Sequence, residues 1–109
     1  MKNKILSLLG FAMKAGKIQT GNDTIIAGLD KGKIKLVIVS DDVKFDNIKK
    51  IYLRCKRYNI PIYELYSRDE LSSAIGRDNR VAIGVADNGF SIKLIEYFKE
   101  CNLTEMNSE

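Results

Sequence analysis

Residues 16–24, Gly16-Lys17-Ile18-Gln19-Thr20-Gly21-Asn22-Asp23-Thr24, combine a lysine, two glycines, short polar side chains and a carboxylate. If a strand feeds through Gly21 into a helix, the first helical N–H groups and the positive end of the helix dipole face outward together, a geometry suited to a phosphate or to the edge of a nucleobase. Asn22 can both donate and accept, and Asp23 can accept two hydrogen bonds from a guanine edge. The same residues also read as an ordinary helix cap. A second candidate is Asp41-Asp42, after the apolar run 35–40. Open α/β sheets place phosphoryl-transfer and metal chemistry at the C-terminal ends of their strands. No third carboxylate is spaced to complete such a site, and the pair also suits the cap of the next helix. Residues 10–17 imitate a phosphate-binding P-loop. However, five residues separate Gly10 from Gly16, Ile18 stands where Ser or Thr would bind magnesium, and a helix is expected before it.

Other chemistry is removed by composition. The sequence contains no His, which excludes Ser-His-Asp and Cys-His nucleophiles, His-bearing zinc sites and the usual histidine pH switch. Cys55 and Cys101 match no metal spacing and read as free thiols in a reducing cytosol. We therefore expect no enzyme, no cofactor, no metal and no small-molecule substrate. The start, Met1-Lys2-Asn3-Lys4 with an apolar stretch to Met13, faintly imitates a signal peptide. Its apolar residues Ile5, Leu8, Leu9, Ala12 and Met13 instead fall on one helical face, with Lys14 after them. No run approaches the roughly 20 apolar residues of a membrane span, so a cytoplasmic protein with no membrane partner is expected.

These residues need a scaffold. A chain of 109 residues, 45% hydrophobic and 29% charged, suits one globular domain; we place it at residues 1–101, with a frayed tail at 102–109. The periodicities predict a helix from Lys2 to about residue 15, ended by Gly16, and a short strand over 17–19. A helix capped by Thr20 then runs to about Lys31, followed by a buried central strand over 35–40. Next come a helix from about Asp46 to Tyr58 and a strand over 60–65 that begins beside Pro61. A Ser67/Glu70 capping box opens a short helix to Ile75. Beyond it are a polar loop over 76–80, a strand over 81–86, a turn at Asp87-Asn88-Gly89 and a last helix carrying Phe90, Leu94, Ile95, Phe98 and Cys101 inward. Such alternation predicts an α/β fold with helices on both faces of a four-stranded sheet.

Charge is divided along the chain. Residues 1–57 hold thirteen Lys and Arg against five Asp and Glu, a net +8, whereas residues 58–109 carry a net −4. A basic half suits a polyanion, because Lys and Arg gain free energy by releasing the counterions of phosphates; a merely solvated surface is the alternative.

Taken in order, Gly16-Lys17-Ile18, Gly21-Asn22-Asp23, Lys31-Gly32, the strand Lys35-Leu36-Val37-Ile38-Val39, Asp41-Asp42-Val43 and Arg80-Val81-Ala82-Ile83 leading to Asp87-Asn88-Gly89-Phe90 resemble the kink-turn-binding ribosomal protein family. The bacterial YlxQ-type branch is the most similar. The resemblance covers about residues 5–98. It implies a three-layer α/β/α sandwich with a mixed four-stranded sheet, and binding to structured RNA, including ribosomal RNA, sharply bent at tandem sheared G·A pairs. Carried over by position, it implies RNA contacts by Gly21, Asn22, Asp23 and Thr24 flanked by Lys17, and by Lys31 and Lys33 on phosphates. A second loop at 76–81, with Arg77 and Arg80, would cover the extruded nucleotide. The sequence departs from the family at three places. Asp23-Thr24 stands for an Asn-Glu pair, Ala27 for a basic residue, and Arg77-Asp78-Asn79-Arg80 for a largely apolar loop. The expectation is a monomeric, non-catalytic RNA-binding protein of ribosomes or their assembly. The alternative is a protein-interaction module of the same fold with weak or lost RNA affinity.

Overall fold

The apolar run at residues 36–39 becomes the strand around which both layers are organised. In the computed structural model, which describes residues 1–107, the elements are α1 (Lys2–Lys14), β1 (Ile18–Thr20), α2 (Asn22–Asp30), β2 (Leu36–Val39), α3 (Phe45–Tyr58), β3 (Ile62–Glu64), α4 (Arg68–Ala74), β4 (Ala82–Val85) and α5 (Asn88–Glu100). The sheet order is β1-β4-β2-β3. β4 runs antiparallel to both β1 and β2, whereas β3 is parallel to β2. The sheet is therefore mixed.

Side chains alternate across β2, as a pleated strand requires. Leu36 and Ile38 join Ile83 and Val85 in a core with Ile5 and Leu9 of α1, Leu71 of α4, and Leu94 and Phe98 of α5. Val37 and Val39 face the other way, onto Ile25 and Leu29 of α2 and Ile48, Ile51 and Cys55 of α3. The result is the expected α/β/α sandwich, with α1, α4 and α5 on one face and α2 and α3 on the other. Gly28 of α2 and Gly84 of β4 let these elements approach closely: a Cβ on either would lie 2.7–2.8 Å from Cδ1 of Ile34. Both cysteines are free, and burial pushes the Cys55 thiol up to about 12.

Four local expectations are corrected. Thr20 does not cap α2: it remains in β1 opposite Ile83, and Gly21 is the cap residue. Asp87-Asn88-Gly89 is the start of α5 rather than a free turn, because an Asp87 carboxylate oxygen accepts from the Phe90 amide at 2.8 Å. The Asp41-Asp42 pair does not cap α3, whose cap residue is Lys44. Asp42 instead accepts from the backbone amide of Arg68 at 3.2 and 3.3 Å, joining the end of β2 to the start of α4. In the segment expected to fray, Leu103 N donates to Phe98 O at 2.9 Å and Met106 N to Ile62 O at 2.7 Å. Residues 102–107 thus follow the open edge of β3, with Leu103 and Met106 packed on the two cores; residues 108 and 109 of that expected tail lie outside the described residues.

Candidate nucleic-acid interface

The chain leaves β1 and enters α2 through Gly21, at φ 89° and ψ 131°. Side chains other than hydrogen rarely tolerate this backbone conformation. The first helical bond runs from Ile25 N to Gly21 O at 2.9 Å, so the amides of Asn22, Asp23 and Thr24 precede the helical ladder, and no side chain caps them. One amide proton of Asn22 is already used: Nδ2 donates to Asn47 O at 2.6 Å and fastens the start of α2 to that of α3. Helical spacing then separates two rows. Asn22, Ile26 and Asp30 lie toward α3, where Asp30 accepts from Arg54 Nε at 3.1 Å and from the Tyr58 hydroxyl at 2.8 Å. These partners, Tyr58 first, hold the Asp30 carboxyl below the usual range. Asp23, Ala27 and Lys31 occupy the other row.

Along that second row lies an open groove of about 360 Å³, lined by Gln19, Asp23, Thr24, Ala27, Gly28, Lys31 and Lys33. The fold therefore assembles Asp23, Thr24, Lys31 and Lys33, with Gly21 and Asn22 at the helix start beside them. Lys17 is exposed at the opposite end of β1, where its carbonyl accepts from Ala86 N at 2.8 Å. Gln19 was not singled out by sequence, although it sits inside the predicted strand. Its Oε1 is buried without a hydrogen-bond partner among the described residues, and it stands where a Cβ on Gly28 would lie 2.5 Å away. Alternation of β1 toward the groove was the available signal.

Arg77 and Arg80 lie on the loop between α4 and β4. Because Thr20 pairs with Ile83 in an antiparallel ladder, the residues after β1 and those before β4 share one end of the sheet. The loop therefore stands beside Gly21. It is held from α4: Ser72 Oγ accepts from Arg80 N at 2.7 Å and donates to Arg80 O at 3.3 Å, while Arg68 Nη1 donates to Asn79 Oδ1 at 3.1 Å. Arg77 is exposed and Arg80 half-buried. A second hollow of about 370 Å³ lies between α1 and α5, lined by Asn3, Lys4, Ser7, Leu8, Phe11 and Tyr97. It has the uncapped start of α1 beside a single side-chain cation, Lys4, whereas the α2 groove joins an uncapped helix start to two, Lys31 and Lys33, so the chemistry suited to an anion concentrates in the α2 groove.

Known proteins place this geometry in a family. The chain is 37% identical over 95 residues to the RNA-binding protein YlxQ of Enterococcus faecium, covering 87% of this chain and 91% of that protein. A solved Bacillus halodurans protein of unknown function superposes with a TM-score of 0.84 at 40% identity, over 88% of this chain and 97% of that one. The Giardia lamblia 15.5kD RNA binding protein shares the fold, with a TM-score of 0.72 at 19% identity over 89% and 83% of the two chains. The pattern of one family spans residues 3–95, from α1 through most of α5 and across both walls of the groove, and by that match the chain belongs to the ribosomal protein L7Ae/L30e/S12e/Gadd45 family.

Proposed function

We propose that this protein is a non-catalytic RNA-binding protein that recognises kinked, kink-turn-like RNA and acts on ribosomes or during their assembly. The observation that carries this reading is the uncapped start of α2 opening beside a groove that ends in Lys31 and Lys33. Three amides and a helix dipole attract an anion at one end, and two ammonium groups attract phosphates at the other. Gly21 lets the RNA backbone come close. Asn22, Asp23 and Thr24 meet base edges, and Asp23 is the acceptor for guanine N1 and N2 protons. Lys17 extends the phosphate-binding side, while Arg77 and Arg80 close over the kink from the neighbouring loop. The RNA-binding name of the Enterococcus faecium relative supports the RNA-binding part of this reading.

Gel-shift titrations at fixed salt with three RNAs test it: a kink-turn, the same RNA with its G·A pairs replaced by Watson–Crick pairs, and a plain duplex. The kink-turn is expected to bind tightest. Equal affinities would reduce the function to general RNA binding. No binding to any of them would leave a protein-interaction module.

A further inference from the structure

The groove uses one side of α2, and the other side leads onto the most basic helix of the molecule. α3 carries Lys49, Lys50, Arg54, Lys56 and Arg57, with Asp46 as its single acid. These cations divide by direction. Arg54 is spent on Asp30. Lys56 turns toward the C-terminal segment, with Nζ 3.3 Å from Met106 O and over the Tyr52 ring. Lys49, Lys50 and Arg57 remain on the exposed outer face, and among the described residues none of the three is in an ion pair. Arg57 lies seven positions after Lys50, about 10 Å along the helix axis, which suits separate phosphates of one backbone better than a single anion.

We propose that this outer face of α3 is a second RNA contact, taking the phosphate backbone of a helical stem that adjoins the RNA segment held in the groove. The proposal rests on the RNA-binding reading above and extends it to a surface outside the groove. Continuity supports it. α2 and α3 lie side by side, fastened at one end by Asn22 to Asn47 and at the other by Asp30 to Arg54 and Tyr58. Arg57 is close enough to help hold the Asp30 carboxyl ionised. The intervening acid at the end of α2 is thus largely neutralised, and positive charge runs from Lys33 and Lys31 across to Arg57 and Lys50. A rigid duplex leaving the groove over α2 meets that stripe next. Leu53, 51% exposed, interrupts the stripe, which makes an acidic protein surface the competing occupant.

The test uses the intact protein, wild type and the triple variant K49A/K50A/R57A, against two kink-turn RNAs that differ only in stem length, one clipped near the kink and one with long stems. The three side chains are exposed, so the variant is expected to keep the wild-type melting temperature. Wild type should bind the long-stem RNA more tightly and with a steeper salt dependence. The variant should lose roughly tenfold or more on the long-stem RNA, with its salt slope lower by about 0.7–0.9 per lost phosphate contact, and match wild type on the clipped RNA. Equal losses on both RNAs, or no loss on the long one, would overturn the proposal; the latter result with binding instead to an acidic protein would assign the face to that partner. Wild type that fails to bind the clipped RNA yet holds the long-stem RNA through these three residues would refute the groove reading and, with it, α3 as a second contact.

Discussion

At the start of α2 the chain presents three amides and no side chain to meet them, whereas at the start of α4 the amides of Arg68 and Glu70 are both met by side chains. Ser67 Oγ accepts from Glu70 N at 3.1 Å, and Ser67 N donates to Glu70 Oε1 at 3.1 Å. Asp42 takes the Arg68 amide, and Lys2 pairs with the Glu70 carboxylate. Both starts follow a strand and a short turn. The difference is what stands at the cap: a glycine with no side chain in one, a serine with a partner three residues on in the other. A helix start whose amides are satisfied internally gains stability and has little left to offer a ligand. One whose amides face water keeps its binding capacity for an anion. The same molecule thus uses one helix start to brace the loop at residues 76–80 and leaves the other open beside it.

The comparison breaks most visibly at Gly21. Gly21→Val forces a β-branched residue into a left-handed backbone, and we expect it to lower stability by about 1–3 kcal/mol and to remove kink-turn binding, read by denaturant titration and gel shift; retained affinity in a folded variant would show that the backbone here does not approach RNA. Asp23→Ala separates base reading from helix stabilisation. Affinity for a G·A-containing kink-turn should fall by about 1–3 kcal/mol while duplex affinity stays equal or rises. Stability should change by less than about 1 kcal/mol, because the carboxylate acts on α2 only through the dipole. Parallel changes in the two affinities would remove the base-reading role.

At α4 the opposite pattern is expected. Ser67→Ala should lower stability by about 1 kcal/mol and leave the affinity of the folded protein for RNA unchanged; a loss of affinity would mean that the capped start also sets the RNA-facing loop. The smallest effect concerns acid. Lys2 foremost, then the Ser67 amide, holds the Glu70 carboxyl below its usual value. A carboxyl depressed in the folded state stabilises at neutral pH, and that contribution is lost as pH falls through the carboxylate range, below about pH 4. Glu70→Gln should therefore flatten part of the acid limb of a melting-temperature profile, and superimposable profiles would show that the pair contributes nothing.

Much of this was legible before any coordinates. The Ser67/Glu70 box, the central strand and the turn into a helix around Asp23 are patterns of spacing within one element, and local spacing is written in the chain; Lys31 and Lys33 are implied by the family resemblance instead. Apart from the Asp87 cap, whose partner is three residues on, what differs from expectation involves a partner far along the chain. Asp42 suits the cap of the nearest helix in sequence, yet its partner amide is at Arg68; Asn22, expected to donate and accept, donates to the distant Asn47 O. The segment 102–109 is expected to fray, but in its described part the edge that receives Met106 belongs to β3.

The sequence alone determined the alternating α/β order, the two-faced burial of β2 and the basic character of the first half, since these depend on residue type and on periods of 2 and 3.6. Only the tertiary structure decided that Lys31, Lys33, Asp23 and Gln19 share a groove, that Lys17 stands at the end of β1 away from Gly21, and that the Arg77 to Arg80 loop lies at the same end of the sheet as Gly21. Those relations follow from β4 pairing antiparallel to β1 and from α2 packing beside α3. Pairing of distant segments is chosen by the combined burial of the whole core, a property that no single stretch of the chain contains.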